Sequence, residues 1–454
     1  MPVLQRVALL YLLVMFVAAY GYAVGRFKVF PHAFIEPIVQ EISDFVAGDA
    51  MERNSSPIDK LTSDLGLSYG RWLYNYPELA ARNTTPVAFE SGFDGKVTPL
   101  VYIDGAHRSG YRVIVGILDQ PGGFWGALLL DPQGQVVHNW RLSTAHIDKG
   151  SANDRIKNLY GVHVTPSGSV IFNMQEAGAG IVRVDACSDI EWTLEGSFHH
   201  TVSPDENGNF WTFIGGQNDF DQNMALVSLQ TGQIVRTIDM GEVRKRNPNL
   251  RIWDLYPLII SDREKVRYQR NLTHGNDIEP LPAALAQDFP AFEPGDLAIS
   301  YATTNLVFVL DPDTLEVKWW RAGLGDLQHD VDWEAGGNIT LFNNNSRRLF
   351  KPYSDIVTID TASMDFTIDV DGEGYDFYSV INGRHQLTPQ GTRFVTSSTQ
   401  GWAFELDRSG EIVFSYINNI SKQDSHSLHL AEALRYQEDY FHDEFWKKCG
   451  GQPQ

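Results

Sequence analysis

Five histidines stand at the heads of what read as successive repeats: His163 in GVHVTPSG, His200 in HHTVSPDENG, His274 in LTHGNDIEP, His329 in QHDVDWEAGG and His385 in RHQLTPQG. A fold that sets equivalent strand starts around one axis would bring these imidazoles together. Such a cluster suits three chemistries. It can ligate a transition metal, pass protons on a neutral substrate, or attack as a nucleophile while neighbouring rings hold developing charge. Metal sites often show tight spacing such as HxH or HExxH, and neither occurs here. The expectation is therefore no metal and no cofactor. Against every functional reading stands a bland one, in which a repeat keeps a histidine for a backbone hydrogen bond.

Composition bounds what the cluster can act on. The chain has 454 residues, 43% of them hydrophobic and 20% charged, enough to bury one large core or two medium ones. A formal charge of −21 without a long basic run argues against nucleic acid. Anions are repelled at long range, so an anion site must be a local focus of donors and cations. Cys187 and Cys449 are the only cysteines; they form no CxxC motif, and a single long-range disulfide between them stays open.

The elements that would position the histidines form a cycle. LLLDPQGQVVHNW (128–140), VSLQTGQIVRTI (227–238), VFVLDPDTLEVKWW (307–320) and FELDRSGEIVFSY (404–416) each read as strand, turn, strand. IVRVDACSDIEWTL (181–194) and DIVTIDTASMDFTI (355–368) are weaker copies. Six units recurring at about 40–50 residues are the mark of a β-propeller, whose inner strands line a central channel. A β-sandwich also supplies many hairpins but would not repeat one His-strand-turn-strand order. The stretch 241–271 interrupts the cycle and reads as an insertion over one face.

The predicted fold is all-β, a six-bladed propeller over 106–422, with an N-terminal transmembrane helix and a short helical stem. Val7 to Gly25 carries no charge over a membrane-spanning length, flanked by Arg6, Arg26 and Lys28. It reads as an anchor over 1–28, with a cleaved signal peptide as the competing reading. Charge on both flanks leaves its orientation open. The segment 29–105 is expected to be stem and lead-in, with Phe34, Ile38, Ile42 and Phe45 on one helical face. The tail, 423–454, reads as helical from the spacing of Leu430, Leu434, Phe441 and Phe445, with His426, His429 and His442 in surface or packing roles.

LTHGNDI, ISYATTNLVFVLDPDTLEVKWW, LQHDVDWEAGGNITLFNNN and RHQLTPQGTRFVTSSTQGWAFELDRSGEIVFSY together resemble the PAPS-independent arylsulfotransferases over about residues 110–420. The resemblance implies a six-bladed propeller outside the cytoplasm, at the periplasmic or extracellular side of a membrane. It implies ping-pong transfer of a sulfuryl group from a phenolic sulfate ester to a phenol. His329 then matches the histidine that is transiently sulfated, His274 with Asn276 the His-x-Asn pair that holds sulfuryl oxygens, and His200 a contacting histidine. The chain departs from the family at Ala302, where an arginine is expected. Arg347, Arg348 or Arg384 are the candidate replacements. The alternative reading is a non-catalytic propeller, tethered to a membrane as a ligand-binding or assembly subunit.

Overall fold

A computed structural model describes residues 97–118, 125–142, 158–175, 180–215, 222–253, 258–262, 265–268, 273–346, 353–421 and 426–449, with a few isolated positions before them. The expected anchor and stem lie outside the described residues, Met15 and Tyr20 excepted. Among the described residues, no helix is long and apolar enough to cross a membrane. The chain divides into two units, Met1–Leu61 and Thr62–Gln454, and all the described strands belong to the second.

Six antiparallel sheets of at least four strands follow one another along the chain, and their inner strands touch in sequence to close a ring. This is a six-bladed β-propeller. The inner strands of blades 2 to 6 are Asn158–Val164, Phe198–Pro204, Gly275–Pro280, His329–Glu334 and Arg384–Leu387. Every hairpin repeat seen in the sequence joins the two strands of a blade that follow its inner pair. The repeat has a physical cause in its aspartates. Oδ1 of Asp131 accepts from the amides of Gln133 (2.9 Å) and Gln135 (2.7 Å), and Asp407 does the same for Ser409 (2.8 Å) and Glu411 (3.0 Å). Such a side chain satisfies turn amides that no strand can reach.

The inner strands read alternately in two directions. In blade 5, Val331 and Trp333 are buried in the apolar core, whereas Asp330 and Asp332 face Arg384 and His385 of the next inner strand. Burial of each such apolar side chain contributes about 1.5–3 kcal/mol. The carboxylates are placed by that same alternation.

Closure of the ring uses both ends of the propeller sequence. Blade 1 takes its inner strand, Leu430–Tyr436, from the C-terminal region and pairs it with Tyr111–Ile117. Blade 6 adds Leu100–Ile103 and Thr85–Pro86 outside its own four strands. Between these blades, Glu405 binds Arg112 (2.9 Å) and Arg435 (3.0 Å), all three buried. The expected helical tail is thus corrected: its apolar residues Leu430 and Leu434 belong to a strand, and only Asp443–Lys447 is helical. A four-residue apolar spacing does not separate a helix from a strand buried on both faces. Cys187 and Cys449 are disulfide-bonded, fastening the end of this region to the outer hairpin of blade 2. The insertion between blades 3 and 4 contains a helix, Met240–Arg246, and a hairpin of Leu258–Asp262 with Lys265–Tyr268.

Candidate active site

At one mouth of the channel, inner strands of adjacent blades begin irregularly. Pairing slips between His199 and Ser203 in blade 3, between Gly275 and Asp277 in blade 4, and between His329 and Val331 in blade 5. At these bulges His200, His274 and Asp330 take positive φ values of 56°, 44° and 53°. Left-handed backbone costs a non-glycine residue about 1–3 kcal/mol, so surrounding contacts must hold it. Asn173 supplies one by donating to the carbonyl of His200. Gly161 supplies room, because a Cβ there would stand 2.2 Å from that carbonyl oxygen.

The bulges bring the predicted histidines together. The ring of His200 lies 4.8 Å from that of His274 and 6.3 Å from that of His329, centroid to centroid. A narrow cleft is lined by His200, Asn276, His329 and Arg384, with Tyr160, Asn382, Gly383 and Ala431. Of the sequence candidates, Arg347 and Arg348 lie outside the described residues. His163, which fits the bland reading of a histidine kept by the repeat, does not line the cleft. It is the sixth residue of its strand, roughly 10 Å along from Tyr160, which lines the cleft instead. In blade 6 the cleft residue is Arg384, while His385 is turned into contacts with Asp330 (2.7 Å) and Thr340 (2.8 Å).

Hydrogen bonding fixes the state of His329. Its Nδ1 lies 3.0 Å from the carbonyl of Leu327 and 2.8 Å from Oδ1 of Asn344. The Asn344 amide is oriented by its own nitrogen, which donates to the carbonyls of Ser379 (2.7 Å) and Asn382 (2.6 Å). Both partners of Nδ1 are therefore acceptors, so Nδ1 carries the hydrogen and Nε2 keeps the lone pair. Burial holds the rings uncharged: it lowers His329 and His274 to about 4 and His200 well below its ordinary value. His329 is neutral at pH 7, with its Nε2 lone pair held in a fixed orientation.

Asn276 and Arg384 complete the polar lining. Asn276 donates to the carbonyl of Gln328 (2.6 Å), and its buried Oδ1 has no hydrogen-bond partner among the described residues. Arg384 Nη1 lies 2.6 Å from Asp330 and 3.4 Å from Asp277. Burial pushes Asp330 up, but Arg384 and His385 outweigh it and hold the carboxyl at about 2. Ala302 is buried beside the site, its amide donating 3.0 Å to the carbonyl of His274. The position adjoins the site and carries no charge; among the described residues, the arginine lining the cleft comes from blade 6. Asp330, Asp332 and His385 bring donor atoms within 4.8 Å of one another, a spacing compatible with a metal ion. Both oxygens of Asp330 are already bound by Arg384 and His385, so the cluster is held by its own ion pairs.

The sequence model of the arylsulfotransferase family matches residues 161–419, more than half of the chain. The chain belongs to the arylsulfotransferase family. The matched span holds every arylsulfotransferase site candidate, from His200 to Arg384, and all cleft residues except Tyr160 and Ala431. No curated protein matches the chain. Among solved structures it is similar to a protein of unknown function from Bacteroides caccae, at 10% identity and TM-score 0.48, covering 73% of this chain and 100% of that one. It is also similar to virginiamycin B lyase from Staphylococcus aureus, at 12% identity and TM-score 0.33, covering 57% and 69%. A chain of the nidogen/laminin complex shows 8% identity and TM-score 0.40, covering 71% and 97%. Likeness at this level does not extend to function.

Proposed function

We propose that this arylsulfotransferase-family chain moves a sulfuryl group between phenols through His329, without a nucleotide sulfate donor. The observation that carries the reading is the neutral Nε2 lone pair of His329, fixed by Asn344 in a cleft shared with His200, Asn276 and Arg384. In the first half-reaction, Nε2 forms a bond to sulfur while the S–O bond of the phenolic sulfate breaks and its electron pair leaves on the phenolate. In the second, the acceptor phenol gives its proton to the neutral His274 as its oxygen attacks sulfur. The N–S bond breaks, its pair returns to Nε2, and His274 passes the proton to water. A phenol with a pKa near ~10 needs such a base at neutral pH. Asn276, His200 and Arg384 face the sulfuryl oxygens, Arg384 standing in for the arginine missing at Ala302.

The test is incubation with p-nitrophenyl sulfate and a phenol acceptor. Phenolate release that disappears in His329→Ala, with an acid-labile, base-stable modification of His329 in the wild type, supports the proposal. No release, or release unchanged in His329→Ala, sinks it. A second reading, a ligand-binding propeller without catalysis, is favoured by one observation: Asp330 and Asp277 already neutralise Arg384. Binding of an aryl sulfate without turnover is its signature.

The proposed setting is outside the cytoplasm, tethered through residues 7–25. The bond between Cys187 and Cys449 supports an oxidising compartment. Protease accessibility of the propeller in intact cells, against cells opened to expose the cytoplasm, decides it.

A further inference from the structure

His199 and His200 are neighbours in sequence, yet they meet through the same ring atom: the two Nδ1 atoms lie 2.9 Å apart. One nitrogen must donate and the other accept. Both rings are neutral, since burial lowers His199 to about 3 and His200 well below its ordinary value. Each ring therefore has a single hydrogen to place. If His200 donated, the hydrogen of His199 would sit on its Nε2. That atom is buried and has no partner among the described residues, so the arrangement strands an N–H away from water. If His199 donates, its Nε2 holds only a lone pair, and stranded acceptors are better tolerated than stranded donors. The ring of His199 lies flat on Phe213, with centroids 5.2 Å apart and planes 6° from parallel, which favours this edge-on approach to His200.

We propose that His199 is a positioning residue that donates its Nδ1–H to His200 and thereby fixes the hydrogen of His200 on Nε2, the ring edge remote from His199. The cleft then holds histidines in opposite forms. His329 offers a lone pair at Nε2, and His200 offers a hydrogen. Its catalytic meaning rests on the sulfuryl-transfer reading: a donor at His200 binds a sulfuryl oxygen, which a lone pair would repel. The hydrogen placement itself does not depend on that reading.

The experiment is a long-range proton–nitrogen correlation on the full chain labelled with ¹⁵N-histidine, His200 being assigned by its loss in His200→Gln. The wild type should show His200 with its hydrogen on Nε2. His199→Phe keeps a flat ring on Phe213 but removes the donor, and His200 should shift toward the Nδ1–H form. His199→Asn, whose amide replaces Nδ1–H, should restore the wild-type pattern. With p-nitrophenyl sulfate, His199→Phe should lose roughly 10–100-fold in kcat, the scale of losing a partner that orients a functional histidine, and His199→Asn should recover most of it. A wild-type His200 with its hydrogen on Nδ1 overturns the proposal, as does an unchanged pattern in His199→Phe. If the wild type turns over no aryl sulfate, the spectra still decide the role of His199 and the sulfuryl-transfer reading falls alone.

Discussion

Oδ1 of Asn344 lies 2.8 Å from Nδ1 of His329, and Asn344 is held in place by two carbonyls from the loop that precedes the inner strand of blade 6. The nucleophile candidate in blade 5 is thus aimed by its neighbour. Replacing Asn344 with Leu removes one of the two acceptors at Nδ1 and takes a donor from the carbonyls of Ser379 and Asn382. A fall of about 10²-fold or more in kcat is expected for a misaimed nucleophile. Single-turnover formation of modified His329 measures it, and a rate within twofold of wild type would remove Asn344 from the mechanism.

The pH dependence follows from burial. His329 and His274 titrate at about 4 in the folded chain, below the ordinary 6.5. Activity resting on their lone pairs should be flat from pH 7 to about 5 and fall as pH drops through 4. Stability has the same sign. A depressed histidine pKa means the folded state resists protonation, so these rings contribute fully above 6.5 and progressively less between 6.5 and 4. The profile of kcat/KM for p-nitrophenyl sulfate checks the first point and urea unfolding the second; an activity midpoint near 6.5 would contradict the burial argument.

Arg384 carries two loads that substitution can separate. Arg384→Gln removes a cation from the cleft and leaves Asp330 and Asp277 facing each other without it. Loss of a buried partner costs about 3–5 kcal/mol of stability. Loss of the cation should also lower kcat/KM by about 10²–10³-fold. Arg384→Lys should recover more stability than activity, since an ammonium keeps the charge but not the forked geometry. Folded Arg384→Gln protein with wild-type kcat/KM would show that the cation does not touch the substrate.

The disulfide spans 262 residues and fastens the end of the closing region. Replacing Cys187 and Cys449 with Ser together should lower stability by about 2–4 kcal/mol. Thermal unfolding under non-reducing conditions reads the change. A melting temperature unchanged from wild type would mean that strand pairing alone secures the seam.

The sequence carried the fold unevenly. The six outer hairpins were legible because each depends on local turn chemistry, such as Asp131 or Asp407 capturing amides a few residues away. The strand Leu430–Tyr436 was not, because its pairing partner Tyr111–Ile117 is some three hundred residues distant and its spacing mimics a helix. The cleft residues His200, His329, Asn276 and Arg384, and His274 beside His200, were visible as residue types in repeats. Tyr160, Asn344 and Asn382 were not, since bulges and loops from neighbouring blades bring them in. His163 shares the motif without reaching the cleft, because the bulge in its blade falls three residues earlier, beside Tyr160. The HH dipeptide was the one written sign of the His199–His200 contact.

Ala431, on the last inner strand to emerge during synthesis, forms part of the wall shared by His200 and His329. A ribosome must therefore release nearly the entire propeller before the cleft has all its sides. An incomplete nascent chain, or one cut short before Leu430, has every histidine of the site but lacks the Ala431 wall of the cleft. On the sulfuryl-transfer reading, reactivity at His329 becomes a report of finished manufacture, confined to molecules whose ring has already shut.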